Sequence, residues 1–120
     1  MRGKAMSADV SDGPAIVSGY TYKLQIEAES PVFPEGCALT AQVRSKVSDS
    51  AIIATLTTAN GGLTRVSDTV IEIVIPPEPT ANLKPGTVVM DVVRTDVHPD
   101  LHLNFTLEIP VVRPVTRGLS

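Results

Sequence analysis

Aromatic residues are scarce. They make up 3% of the 120 residues, and tryptophan is absent. Tyr20, Tyr22, Phe33 and Phe105 are the whole supply. A carbohydrate site built on aromatic platforms is therefore poorly supported, and the core has to be filled with aliphatic side chains. Cysteine is nearly missing too. Cys37 stands alone, so no intrachain disulfide can form. It lies between Gly36 and the start of a strand pattern, the place of a small apolar filler. Charge of one sign is nowhere concentrated. The net charge is −3 and no block of like charges occurs. Nucleic-acid binding calls for a clustered basic surface, which is lacking. No run approaches the ~20 apolar residues of a membrane-spanning helix. Arg2 and Lys4 are followed by no apolar stretch of secretory-signal type. The expectation is a soluble chain made in the cytoplasm, without nucleic-acid or membrane partners.

What is present suits one folded domain: 42% apolar and 19% charged residues. A chain of this length buries roughly two-thirds of the surface its unfolded form exposes, enough for a single core. Residues 1–19 are rich in Ser, Gly, Ala and Asp without periodicity, which predicts a flexible N-terminal arm. From Tyr20 the apolar period is two. Tyr20, Tyr22, Leu24, Ile26 and Ala28 share one face. Leu39, Ala41 and Val43 follow, then a third strand over 51–58 with Ile52 or Ile53 turned outward. Asn60-Gly61-Gly62 predicts a tight reversal. Ile71, Ile73 and Ile75 form the next inner row, then Val88, Met90 and Val92. Leu101, Leu103, Phe105, Leu107 and Ile109 form the last, with Val111-Val112 continuing past Pro110 on an edge.

This pattern predicts an all-β fold, an antiparallel immunoglobulin-like β-sandwich of six to seven strands over residues 20–117, with a short tail at 118–120. Between two of the strands stands PPEPTANLKPG (76–86), four prolines and a glycine around one possible helical turn. It reads as a corner between sheets. Pro76 and Pro77 end ladder pairing, Pro79 suits a first helical position, and Leu83 folds back over the open end of the core.

These elements carry a resemblance. Ala41-Gln42-Val43-Arg44-Ser45, the corner Thr80-Ala81-Asn82-Leu83-Lys84-Pro85-Gly86, Asp91 and the closing Val115-Thr116-Arg117 resemble small immunoglobulin-like β-sandwich proteins of tailed bacteriophages and prophages. The resemblance covers roughly residues 20–117. It implies an accessory virion part of tail, baseplate, fibre attachment or head surface, present in repeated copies or as a homo-oligomer. Its partners would be other virion proteins, including the major capsid protein. It implies no catalytic residue and no cofactor. Where that class often carries aromatics after the corner, Val88 and Met90 stand here.

One string has the look of a site: Asp96-x-His98-x-Asp100-x-His102. Carboxylates and imidazoles bind zinc, and residues two apart on a strand share a face. Pro99 interrupts the string, and Asp and Pro are what a turn wants, so a solvated turn is the expectation. Asn60-Gly61-Gly62 lacks the Lys-Ser or Lys-Thr of a phosphate loop, and no nucleophile-elbow pattern occurs. The chain is expected not to be an enzyme. Candidate partner-binding residues are the outward valines: Val89 and Val93 beside Asp91, and Val111, Val112 and Val115 near the C-terminus. The competing class of function is a module that recognises a host-surface glycan or protein.

Overall fold

The computed structural model describes residues 2–5, as backbone, and residues 14–116. Residues 1 and 6–13 of the expected arm, Arg117 and the tail 118–120 lie outside the described residues.

All six principal strands expected from the alternation are present. They are β3 (Tyr22–Ala28), β4 (Leu39–Arg44), β5 (Ala54–Thr57), β7 (Val70–Ile75), β8 (Gly86–Arg94) and β9 (Leu101–Val112). Three short strands are additional: β1 (Arg2–Ala5), β2 (Ile16–Val17) and β6 (Leu63–Arg65). They form a four-stranded sheet in the order β1-β3-β7-β6 and a five-stranded sheet in the order β2-β9-β8-β4-β5. Leu24, Ile26, Ile71 and Ile73 of the first sheet and Ala41, Val43, Met90, Val92 and Leu107 of the second join one buried cluster, so the sheets face each other across a common core. That core is aliphatic apart from Tyr22, Phe33, Cys37, Met90 and Phe105.

The pairing is not antiparallel throughout. β1 runs parallel to β3, and β2 parallel to β9. The described parts of residues 1–19 are therefore laid on the domain's own sheet edges rather than standing free. Ile16 is fully buried, and the Tyr22 hydroxyl donates to the Pro14 carbonyl at 2.7 Å.

The predicted inner row of the last strand holds for Phe105, Leu107 and Ile109 and fails before them. Opposite β8, Asp91 faces Thr106 but Val93 faces His102, so four residues of β9 span two of β8. Asn104 takes a φ of 62° inside this bulge, which resets the alternation. Leu101 is consequently 46% exposed, and Leu103 only leans on the core. Beyond Phe105 the rhythm runs unbroken through Pro110. The Val112 carbonyl accepts from the Ser18 N–H on the side away from β8. Two residues earlier the Pro110 nitrogen faces that side too, and no ladder bond to β8 is lost.

The proline-rich corner does join the two sheets, as β7 belongs to one and β8 to the other. Its single helical turn, α1 (Pro77–Ala81), starts at Pro77 rather than Pro79, with Pro76 as N-cap. Pro77 fits because the first helical nitrogens have no acceptor within the helix. Leu83 packs half-buried against the core. The residue that fixes the corner is Thr80, fully buried. Its hydroxyl accepts from the Gly19 N–H at 3.1 Å and shares its proton between the carbonyls of Tyr20 (2.9 Å) and Pro77 (3.0 Å). The corner is thereby tied to the turn between β2 and β3.

Asn60-Gly61-Gly62 does not make the expected reversal: it carries the chain from one sheet to the other, and β5, antiparallel to β4, and β6, antiparallel to β7, both lead away from the end where the proline corner crosses. Gly61 takes a φ of 82°. The Asn60 carboxamide accepts from the N–H groups of Thr57 and Gly62 and donates to the Thr55 carbonyl. It thus occupies the outer edge of β5, where a further strand would otherwise add.

Candidate docking surface

The acid–imidazole string does not converge. Asp96 turns to Arg94, with a salt bridge of 2.8 Å, and accepts from the Ala38 N–H at 3.2 Å. The Arg94 hydrogen bond holds its carboxyl at about 2, well below the usual carboxylate range. His98 and Asp100 are exposed in the turn before β9. His102 faces a residue sequence spacing did not flag. Its Nε2 lies 2.8 Å from Asp91 Oδ2, and its Nδ1 accepts from the Asn104 N–H at 2.9 Å. In the neutral ring the proton therefore sits on Nε2 and is donated to Asp91. His102 pins the bulge to β8. Among the described residues, no three His, Cys, Asp or Glu side chains come within reach of one metal ion. Cys37 is buried. Burial first, and the Asp96 carboxylate second, push its thiol up, away from the reactive thiolate.

Val89 and Val93 flank Asp91 on the outer face of the five-stranded sheet, both half-buried. In the cross-strand register Val89 stands between Arg44 and Glu108, and Val93 between Thr40 and His102. Arg44 is held along this face, donating to Gln42 Oε1 at 2.6 Å and to the carbonyls of Asp49 and Ser50. Gln42, Arg44, Val47, Val89, Asp91 and Thr106 line a depression of about 200 Å³ on this face. This face is a mixed polar surface, not an apolar patch.

The three C-terminal valines part company. Val111 is 3% exposed and belongs to the core. It continues the inner row of Phe105, Leu107 and Ile109, so it drops out of the candidate surface. Val112, the next residue, is 45% exposed, and Val115 95%. They have company that the alternation could not reveal, because it stands in turns. Seven large apolar side chains are exposed among the described residues: Tyr20, Val47, Ile52, Val66, Leu101, Val112 and Val115. Five of these, all but Val66 and Leu101, lie at one end of the molecule. There β4, β7 and β9 finish, β3, β5 and β8 begin, and the proline corner crosses. At this corner end a cavity of about 540 Å³ is lined by Ile52, Ile53, Leu83, Lys84 and Pro85 among others. The Tyr20 hydroxyl donates to the Thr116 carbonyl at 3.1 Å, holding the C-terminal segment against the same end.

No protein-family model matches the chain, and no curated protein matches it.

Proposed function

We propose that this chain is a non-enzymatic structural protein of a tailed-phage virion, an immunoglobulin-like sandwich that docks through its corner end. The orders β1-β3-β7-β6 and β9-β8-β4-β5 correspond to the A-B-E-D and G-F-C-C′ sheets of a variable-type immunoglobulin arrangement, with β2 beside the last strand. The parallel pairing of β1 with β3 departs from that arrangement, as does the lack of a disulfide and of tryptophan. Elements quoted for the phage resemblance fall at the corner end: Val43-Arg44-Ser45, Thr80 to Gly86, and Val115-Thr116.

The observation that carries the reading is the concentration of exposed apolar side chains at that end. A scattered valine needs no explanation. Five gathered at one end, with Ile52 on the rim of a cavity, are the kind of surface that a partner covers. Its partners would be other virion proteins of the tail, baseplate and fibres, or the major capsid protein. Many weak contacts on one particle bind firmly through high effective concentration. Mass spectrometry of purified particles induced from the source strain tests the reading. Repeated copies of the chain per particle are expected, in either head or tail fractions, and its absence from intact particles would end the proposal.

A further inference from the structure

The two ends of the molecule differ in charge as well as in apolarity. At the corner end Lys23, Arg44, Lys46, Lys84 and Arg113 outnumber Asp49, Glu78 and Glu108. At the far end the ends of β3, β6 and β8 and the turns after them carry Glu27, Glu29, Glu35, Asp68, Asp96 and Asp100 against Arg65, Arg94 and Lys4, which pairs in register with Glu27. Among the described residues, one end is therefore formally cationic and the other anionic. The anionic end also bears the two remaining exposed apolar side chains, Val66 (51%) and Leu101 (46%).

We propose that copies of this chain join head to tail, the apolar cationic end of one seated on the anionic end of the next. This rests on the reading of the chain as an assembly part and names the partner at its apolar end as a second copy. A corner-to-corner dimer would bury more apolar surface, but it sets two cationic ends against each other. Like-charge juxtaposition disfavours such a pairing. Head-to-tail contact turns the same charges into attraction and still gives Tyr20, Val47 and Ile52 an apolar landing on Val66 and Leu101. Such a contact is heterologous. Each copy keeps one free end, so association grows into a ring or a row rather than stopping at two.

The test uses the full chain in sedimentation velocity from micromolar to millimolar concentration, at low and high salt. The mean mass is expected to rise with concentration beyond that of a dimer and to fall with salt, because the contact is charge-steered. Two double variants divide the contact. Lys84→Glu with Arg113→Glu spoils the corner end, and Asp68→Lys with Asp100→Lys spoils the far end. All four side chains are exposed, and circular dichroism checks that each variant folds. Each variant alone is expected to sediment as a monomer. Their mixture is expected to associate again, because the intact ends match and the two reversed ends also carry opposite charge. A far-end variant that still dimerises would mean corner-to-corner contact. A wild type monomeric at every concentration would leave the apolar end to a different protein, and a mixture that fails to pair would remove the complementary ends. Each of these overturns the inference. A chain found in the particle yet monomeric in solution fails this inference alone and keeps the virion reading.

Discussion

The two ends of the molecule close the same gap between the two sheets with different chemistry. The corner end is closed by neutral hydroxyls turned inward. Thr80 bonds Gly19 and Tyr20, and Tyr22 bonds Pro14. The far end is closed by groups at or near the surface: the Arg94–Asp96 pair and the bond from Ala38 to Asp96. A buried neutral group costs its full desolvation if left without a partner, whereas an exposed ion pair is replaced by water at little loss. The corner end should therefore be brittle to substitution and indifferent to salt, and the far end the reverse.

The largest expected effect lies apart from both ends, where the chain crosses from β5 to β6. A Cβ on Gly62 would lie 2.7 Å from Leu56 Cβ and 2.9 Å from Leu56 Cα, so the backbone itself must move. Gly62→Ala is expected to cost about 3 kcal/mol, the upper range for overpacking, measured as a shifted denaturant midpoint at unchanged slope. Thr80→Val comes next. It keeps the volume and strands the Gly19 N–H and Tyr20 carbonyl, for an expected loss of about 2 kcal/mol. If it is as mild as a surface substitution, the two ends are not different in kind.

Tyr22→Phe sharpens the contrast through pH. Losing the bond to Pro14 is expected to cost about 1 kcal/mol at neutral pH. Burial pushes the Tyr22 hydroxyl up to about 12, above its ordinary 10. The wild type therefore keeps this contribution below pH 10 and loses it as pH rises toward 12, because the unfolded chain ionises first. The difference between wild type and variant is expected to shrink across that window.

The smallest effect belongs to Asp96→Asn. With its carboxyl held at about 2, the folded Asp96 stays charged where the unfolded one has begun to protonate. Its contribution is complete above pH 4 and fades as pH falls toward 2. Wild type and variant are expected to differ near neutral pH and to converge in acid, in urea titrations at each pH. An alkaline-sensitive corner end and an acid-sensitive far end would together bear out the division of chemistry.

Much of this fold was legible in the sequence. Alternation located β3, β4, β7 and β8 because each has one buried face, and the corner was legible because proline and glycine constrain backbone directly. β6 is three residues with one buried side chain, too short to show a period. β1 and β2 owe their existence to sheet edges that only the assembled domain provides. The Asn104 bulge hid the fate of Leu101 and Leu103, since no local signal marks a positive φ at asparagine there. The Asp91–His102 contact depends on that bulge and was out of reach. Val111, by contrast, was readable: carrying the parity of Phe105, Leu107 and Ile109 across Pro110 puts it inside. The exposed group at the corner end sits in turns, where periodicity says nothing.

Both tyrosines, the only strong near-ultraviolet chromophores in a chain without tryptophan, stand at that one end, one sealed and one wet. Intrinsic fluorescence and near-ultraviolet dichroism thus watch a single pole of the molecule. A ligand or neighbour arriving there will change the signal, while events at the opposite pole will pass unseen unless a label is placed among the acidic turns.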